Sequence, residues 1–267
     1  MDKIRWVIQN NLIAENELKQ IQNTCKSIGA EYEEVLVVPF SSELPEFTID
    51  EKENIYYGST TFMNNVYKIL DKPKGLFYNH ETFLMSNYIE KWGDYMLNCD
   101  AKVITIRDFL NSDLDPNENI FIRPNGDGKE FDGQVIKFKD AVSFLVRTMA
   151  YESDLNGESK ILSGPAYNIL KEWRLYIVGG EIISASRYCE NFRLSKSSID
   201  IPESMLGFAK ERIKEYTPHD NFAMDIASTD DGTYYIIECG CLNSVGFYHS
   251  NIEIIIKSIS NKLNYEN

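Results

Sequence analysis

MDIASTDDGTYYIIECGCLNSVGFY, residues 224–248, contains the pattern that decides the fold. Two runs rich in β-branched and aromatic residues flank Asp231-Gly232, which favours a β-hairpin with a two-residue type I′ turn. Counted outward from that turn, Asp225 faces Glu238 across the strand pair. The sequence therefore predicts two acidic side chains on one face of a hairpin.

Directly opposed side chains of an antiparallel pair lie about 4.5–5.5 Å apart, and like charges at that separation are destabilising. Two carboxylates aimed at one spot favour a cation between them, and oxygen-only ligands favour Mg²⁺ or Mn²⁺ over zinc. Asn243 follows Glu238 by five residues, and its amide oxygen is a third candidate ligand. The alternative is a solvated hairpin face whose charges water screens.

A second hairpin is predicted from Glu172 to Arg187, with Gly179-Gly180 at its turn. In that register Glu172 opposes Arg187, and Arg174 lies on the same face. A guanidinium group there is suited to hold a phosphoryl group or a carboxylate through two parallel hydrogen bonds. A cross-strand ion pair with a spare arginine is the alternative interpretation.

A glycine-rich loop, FIRPNGDGKEFDG, occupies residues 121–133. An apolar strand leads into Arg123, and the loop carries Lys129 among glycines that let backbone N–H groups approach phosphates closely. The loop has neither the GK[ST] of a P-loop nor the GxGxxG of a dinucleotide-binding turn. A plain hairpin loop is the alternative, but cations facing a divalent metal are the components that phosphoryl transfer requires.

The composition of the 267-residue chain is that of an ordinary globular protein with a formal net charge of −14. Binding to phosphate backbones depends on Lys and Arg, so this charge argues against nucleic acid as a partner. It also argues against docking on anionic lipid. Apolar runs are too short for a membrane helix, and the one beginning at Ile4 is too short for a signal-peptide core. We therefore expect a cytoplasmic protein.

The order of predicted elements changes along the chain. Strands and helices alternate over the first hundred residues, which predicts a small parallel sheet. A polar stretch at 111–119 is the best candidate linker. Hairpins mixed with helices follow it. We expect a small α/β domain over residues 1–115 and a larger α+β domain over 116–267.

These pieces resemble the ATP-grasp fold, and within it the clade named for two arginines and one lysine, common in phage and bacterial genomes. The stretches that carry the resemblance are residues 121–136, 161–188 and 224–248, with a closing Ser-x-Gly-Phe-Tyr at 244–248. The marker residues of the clade would be Arg123, Arg174 and Lys129. The resemblance covers about Val103 to the C-terminus and implies two α+β subdomains that grip ATP.

The resemblance implies an ATP-dependent carboxylate–amine or carboxylate–thiol ligase that works through an acylphosphate and releases ADP and phosphate. Its partners would be ATP with Mg²⁺ or Mn²⁺, a carboxylate substrate, and an amine acceptor that is a small molecule, a peptide or a protein. Many ATP-grasp enzymes have Glu-x-Asn where this chain has Gly240, so either Asn243 reaches the metal instead or a second metal is bound more weakly.

The residues implied for this activity fall into three groups. Arg174, Lys129 and Arg187 are the candidate catalytic residues. The nucleotide-binding set adds Arg123 and Glu172, together with the backbone of Ile161, Leu162 and Ser163 against adenine. The metal ligands are Asp225, Glu238 and Asn243.

Two further functions remain open at this stage. A phosphotransferase on the same fold would release a phosphorylated product without ligation. A non-enzymatic acidic binder that mimics nucleic acid or sequesters a basic partner would suit the charge, although the acidic residues form no run of five or six like charges.

Overall fold

A computed structural model describes residues 3–39, 41–151 and 155–266. The strands are β1 Ile4–Gln9, β2 Glu31–Val35, β3 Glu53–Tyr57, β4 Lys102–Thr105, β5 Asn119–Pro124, β6 Gln134–Lys137, β7 Lys160–Pro165, β8 Ile169–Val178, β9 Glu181–Glu190, β10 Arg193–Ser197, β11 Asn221–Thr229 and β12 Tyr234–Gly240. The helices are α1 Glu15–Ile28, α2 Thr60–Ile69, α3 Met85–Trp92, α4 Ile106–Leu110, α5 Phe138–Tyr151, α6 Glu203–Glu215 and α7 Ile252–Glu266.

The N-terminal strands form a parallel sheet in the order β2-β1-β3, as the alternating pattern predicts. Gly29 ends α1 in the left-handed conformation at φ 69°, and its N–H satisfies carbonyls of the last turn. The Ser59 side chain accepts a hydrogen bond from the Phe62 N–H and caps α2. A side-chain oxygen at this position satisfies one of the free N–H groups that begin every helix. Local sequence signals therefore set the C-terminal end of α1 and the start of α2.

A five-stranded antiparallel sheet in the order β10-β9-β8-β11-β12 is the centre of the molecule. Because side chains alternate along a strand, its two faces have different neighbours. Trp173, Leu175 and Met224 pack in one core with residues of α3 and α6. Tyr176 and Ala223 on the other face pack in a second core with α7 and β1. Farther along that second face lie the charged residues of the predicted site.

A four-stranded sheet in the order β4-β7-β5-β6 faces the end of the central sheet. Ile120, Ile122 and Ile161 pack against α4 and α5, which leaves Arg123 on the opposite face of β5. The strand predicted near Val103, which was expected in the first domain, is β4 and pairs with β7 of this four-stranded sheet. The division of the chain into two domains remains a proposal, with residues 102–105 belonging to the second sheet.

The two ends of the chain share one core. Side chains of α7 pack with those of β1 and α1, and Trp6 Nε1 donates to Ser260 Oγ at 3.0 Å. Within the described residues, none of the helices has the length and apolar character needed to cross a membrane. The C-terminal helix therefore fixes the N-terminal sheet against the second face of the central sheet.

Gly75 lies where the N-terminal sheet meets the rest of the chain, and we predict that its replacement by alanine is severely destabilising. A Cβ at this position would lie 2.0 Å from the Asn54 carbonyl oxygen, a backbone atom that cannot move alone. We expect Gly75→Ala to lower the free energy of unfolding by about 3 kcal/mol, at the upper end of overpacking effects, as measured by urea denaturation.

Gly207 provides the matched control for this prediction. It is an exposed residue in α6, and nothing lies within 4 Å of the Cβ that alanine would add there. Gly207→Ala should raise stability by roughly 0.5–1 kcal/mol, because alanine is the better helix former. Equal effects of the two substitutions would contradict the described packing around Gly75.

Candidate active site

The β11–β12 hairpin places Asp225 opposite Glu238, as the sequence predicts. The expected two-residue turn is wrong, however, because the Thr229 and Thr233 backbones pair across a three-residue loop. That longer turn shifts the register by one residue, and a bulge at Ile237 shifts it back. The two deviations cancel, so that both carboxylates still lie across from each other on the strand pair.

Each carboxylate is paired with an arginine. Arg174, the β8 neighbour of Asp225, donates through Nε to Asp225 Oδ1 at 2.8 Å and through Nη2 to Oδ2 at 2.7 Å. Arg123 extends from β5 of the other sheet and pairs with Glu238. Such bidentate and charge-assisted bonds are stronger than neutral ones. The second pair joins the two sheets directly at the site.

The charges around Glu238 keep it ionised. Burial opposes ionisation, but the nearby cations Arg123, Arg174 and Lys129 outweigh burial and hold the pKa of Glu238 below its ordinary value. Lys129 is on the glycine-rich loop, where its backbone has a left-handed φ of 53°. Arg123, Arg174 and Lys129, the expected marker residues of the clade, therefore all lower the pKa of the Glu238 carboxylate.

The β8–β9 hairpin turns at Gly179-Gly180 as predicted, but bulges change its register. Tyr188 is the extra residue of one bulge, so Glu172 pairs with Cys189 and Trp173 pairs with Arg187. The predicted face shared by Glu172, Arg174 and Arg187 is therefore wrong. Arg187 Nη1 instead lies 2.7 Å from Glu190 Oε2 and 2.8 Å from Asp200 Oδ2, away from the site.

Tyr188, which the sequence did not single out, takes the place expected for Arg187. Its hydroxyl donates to Glu172 Oε2 at 2.8 Å and lies 3.3 Å from Asp225 Oδ2. Its ring stacks on Tyr248 at a centroid distance of 4.9 Å. The Arg174 guanidinium carbon lies 5.2 Å from the Tyr248 ring centroid, which adds a cation–π contact. The amino-acid sequence of a strand does not predict where such a bulge occurs, so Tyr188 could not be identified in advance.

A cleft of about 490 Å³ opens between the two sheets at these residues. Its volume is within the roughly 300–1,000 Å³ typical of small-molecule sites. Arg123, Lys129, Asp132, Glu172 and Glu238 supply its charged lining. Its apolar lining comes from both sheets and the glycine-rich loop, and includes Phe121, Phe131, Val135, Pro165, Tyr167, Ile169 and Ile237. The lining therefore combines charged side chains with apolar and aromatic surface.

The backbone of Ile161, Leu162 and Ser163 was expected to contact adenine, and the sheet topology corrects this expectation. β7 is an inner strand, and each of the three residues pairs with β4 on one side and β5 on the other. Their backbone groups are therefore committed to the sheet. The segment that follows them, Pro165 to Ile169, lines the cleft instead.

Asn243 is not brought to the carboxylates, which corrects its assignment as a metal ligand. Its Oδ1 accepts from the Phe77 N–H at 2.7 Å, and its Nδ2 donates to the carbonyls of Tyr56 and Gly75 at 2.6 and 2.8 Å. These bonds use both ends of a side-chain amide that is fully buried. Asn243 therefore connects the site's last loop to the N-terminal sheet.

Asp127 is a further carboxylate at the site that the sequence analysis missed. It lies in the glycine-rich loop, and its Oδ2 accepts from the Cys241 N–H at 3.1 Å. Burial raises the pKa of Asp127 to about 6, with nearby Lys129 acting in the opposite direction. The sequence signal was only a lone acidic residue among glycines, which is typical of an ordinary turn.

The donor chemistry of the two facing carboxylates fits a hard divalent cation. Asp225 and Glu238 offer carboxylate oxygens, the ligands that Mg²⁺ prefers. In the part of the chain that the structure describes, no three acidic, His or Cys side chains form a complete metal-binding group. Mg²⁺ typically takes one or two carboxylates together with substrate phosphates, so two protein carboxylates are sufficient for a metal that arrives with a nucleotide.

Two sheets that hold a charged cleft between them define an ATP-grasp fold. Over residues 58–259 the chain matches a family of ATP-grasp domains, the third family of the clade named for two arginines and one lysine, and it belongs to that family. A search among curated proteins found no match.

Solved structures share the fold over nearly the whole chain. A D-cycloserine synthetase, DcsG, is 14% identical with a TM-score of 0.64, and the match covers 97% of this chain and 99% of that one. A RimK domain ATP-grasp protein from Sphaerobacter thermophilus is 10% identical with a TM-score of 0.57, covering 96% and 97%. A D-alanine–D-alanine ligase from Bacillus anthracis, complexed with ATP, is 13% identical with a TM-score of 0.55, covering 99% of both chains.

The Asn243 contacts generate a stability prediction. Asn243→Ala would leave the Phe77 N–H without its partner and would remove the Asn243 donor from the carbonyls of Tyr56 and Gly75, of which the Gly75 carbonyl keeps only the Tyr56 N–H at 3.4 Å. Each unsatisfied buried group costs about 1–3 kcal/mol. We expect a loss of at least about 3 kcal/mol of unfolding free energy in urea denaturation.

Asn16, an exposed residue in the first turn of α1, is the control for this prediction. Asn16→Ala should change stability by no more than about 0.5 kcal/mol. If Asn243→Ala were as stable as the control, the anchoring role would be wrong and a ligand role would again be open.

Proposed function

We propose that this protein is an ATP-dependent ligase that activates a carboxylate substrate as an acylphosphate and transfers the acyl group to an amine or a thiol. The observation that carries the proposal is the pair of facing carboxylates, Asp225 and Glu238, each bound to an arginine, with Glu238 and Arg123 lining a cleft between two sheets. Membership of the ATP-grasp family supports the use of ATP.

The arrangement suits a triphosphate bound with a divalent cation. Arg123 and Lys129 line the cleft and would contact phosphate oxygens, and the aromatic and aliphatic lining of the cleft is suited to a nucleobase. Asp225 and Glu238 would hold Mg²⁺ or Mn²⁺, and the bound cation would neutralise phosphate oxygens. The arginines that now pair with the carboxylates would then bind phosphate groups, which guanidinium also recognises bidentately.

The proposed reaction has two steps. One carboxylate oxygen of the substrate attacks the γ-phosphorus of ATP, the bond from that phosphorus to the bridging oxygen breaks, and ADP leaves. The amine nitrogen then attacks the acyl carbon, the carbon–oxygen bond to phosphate breaks, and phosphate departs with the electron pair. The nitrogen gives up one proton, which Glu172, a carboxylate that lines the cleft, would accept. Carboxylate is a poor electrophile, and phosphorylation supplies its leaving group.

Arg174 is the residue we assign to the transferring phosphoryl group and to the oxyanion of the second step. It is buried, and its orientation is fixed by Asp225 and by the Tyr248 ring. A preorganised cation in a water-poor site stabilises developing charge without reorganisation at the moment of reaction. Tyr188, hydrogen-bonded to Glu172, extends this network to the cleft.

Glu238→Gln should abolish turnover of Mg·ATP, because the substitution removes the charge that would hold the cation and leaves the side-chain shape intact. We expect ADP release, assayed with pools of carboxylates and amines, to fall by roughly 100-fold or more. Glu181→Gln, an exposed change at the far end of the same sheet, is the control and should keep full activity. ADP release at the normal rate by Glu238→Gln would contradict the metal assignment.

Arg174→Lys tests the requirement for a guanidinium group. A lysine keeps the charge but has no planar fork to bind Asp225 and a phosphoryl group in turn. We expect roughly a 100-fold lower kcat, with unfolding measured separately to exclude loss of structure. Arg147→Lys on the exposed face of α5 is the matched control, and equal activities of the two variants would rule out the assigned role.

Product analysis separates ligation from simple phosphoryl transfer. A ligase releases ADP and phosphate only when a carboxylate and a nucleophile are both present, and the joined product shows the mass of the two minus water. A stable phosphorylated product formed with a single acceptor would instead identify a phosphotransferase.

A further inference from the structure

The turn between β9 and β10 holds two consecutive residues in the left-handed region. Glu190 pairs with Arg193, so the turn consists of Asn191 and Phe192 alone, whose φ angles are 49° and 60°. A two-residue hairpin turn of this kind needs a positive φ at both positions, and asparagine followed by glycine is the sequence that supplies it with least strain. Asn191 fits that preference. Phe192 takes the position where glycine is favoured, and a positive φ is unfavourable for so bulky a side chain.

The folded protein gains little packing from the Phe192 side chain. The residue is 66% exposed, and within the described part of the chain it belongs to none of the apolar cores. A glycine here would remove both the backbone strain and the apolar surface that contacts water. Strained residues of this kind are concentrated at sites that bind ligands. The ring of Phe192 is therefore a candidate contact for a ligand of the cleft.

The turn is fixed beside the cleft by its backbone. The Asn191 N–H donates to the Leu170 carbonyl at 2.7 Å, which ties the turn to the start of β8. Ile169, the neighbour of Leu170, lines the cleft, and so does Phe192 itself. The hairpin therefore presents the ring to the cleft in a set position.

Val135 is an exposed apolar residue on the other side of the cleft. It lies in β6, the edge strand of the four-stranded sheet, and is 53% exposed. Phe192 comes from a hairpin of the central sheet, so each sheet contributes an exposed apolar side chain to the lining of one cleft. A flat ring system bound between the sheets would remove this apolar surface from water, which is favourable. A nucleobase has that character, whereas the phosphate groups of a nucleotide do not.

We propose that Phe192 is a nucleotide-positioning residue whose ring, held at the cleft by a strained turn, packs on the nucleobase. The proposal rests on the proposed function. It assigns to the β9–β10 turn a contact with the base, separate from the contacts that Arg123 and Lys129 would make with phosphates. The free protein is then less stable than it would be with glycine at position 192, and the ring strengthens binding of the nucleotide.

The first test is a measurement of nucleotide affinity and does not depend on turnover. ADP with Mg²⁺ is titrated into the full-length protein, and the heat of binding is measured by calorimetry. We expect Phe192→Ala to weaken ADP binding by roughly 10-fold, the size of a lost contact between an aromatic ring and a base. Leu194→Ala is the matched control, because Leu194 is a 70% exposed apolar residue of the same hairpin. It should bind ADP as the wild type does.

Opposite changes in stability and affinity make the test specific. Phe192→Gly removes the strain and the ring together, so it should raise the unfolding temperature of the free protein and still weaken ADP binding as much as Phe192→Ala does. Asn191→Gly also suits a left-handed turn but keeps the ring, and it should retain wild-type affinity. A merely structural role of Phe192 would lower stability and affinity together.

A spectroscopic probe reports the contact directly. Phe192→Trp keeps an aromatic face and should bind ADP as the wild type does. Its fluorescence, taken as the difference from the wild-type protein, should change when ADP binds, because the base would lie against the new indole ring. Leu194→Trp places the same probe two residues away and should not respond.

Two results would overturn the assignment: wild-type affinity for ADP in both Phe192→Ala and Phe192→Gly, or equal fluorescence responses of Phe192→Trp and Leu194→Trp. If the wild-type protein binds no ADP in the presence of Mg²⁺, the proposed function itself fails and this assignment fails with it. That outcome is distinguishable from the others because it appears before any substitution is made.

Discussion

The pairing of two facing carboxylates with arginines is the interaction on which the rest of this structure depends. Asp225 and Glu238 face each other on adjacent strands, an arrangement that is unfavourable unless cations are close. Arg174 neutralises one of them within the central sheet, and Arg123 reaches the other from the four-stranded sheet. Removing one partner from a buried pair leaves an uncompensated charge, which costs far more than the pair contributes.

That requirement also explains how the site relates to the fold around it. Arg123 can reach Glu238 only because β5 presents it on the face opposite the core formed with α4 and α5. The second face of the central sheet is covered by α7 at one end and left to the cleft at the other. The fold thus separates a packed half of the sheet from a charged half, and the glycine-rich loop lies over the charged half.

Sequence reasoning predicted the composition of the site better than its registers. The glycine turns of both hairpins and the alternation of strands were readable, but the turn predicted between β11 and β12 was one residue too short. The bulges at Tyr188 and Ile237 were not readable, because an extra residue in a strand changes no local propensity. The bulge at Ile237 compensates for the longer turn and keeps Asp225 opposite Glu238. The bulge at Tyr188 moves Arg187 off the predicted face and places Tyr188 at the site.

The remaining differences came from contacts distant in sequence. Asn243 is bound by backbone groups more than 160 residues earlier, and β7 is an inner strand only because β4 joins it from before the linker. Asp127 belongs to the site because its loop packs against Gly240 and accepts the Cys241 N–H, more than 110 residues later in the chain. None of these contacts can be predicted from the spacing of residues in the neighbouring sequence.

The most direct test of the central claim is thermal unfolding of the wild-type protein with ATP, measured with and without Mg²⁺. If the facing carboxylates and their arginines form a site for a metal-bound triphosphate, Mg·ATP at about a hundred times its Kd should stabilise the folded state by about 2.7 kcal/mol. ATP without the metal should stabilise it much less. An unfolding temperature that is the same in buffer, in ATP and in Mg·ATP would contradict the account.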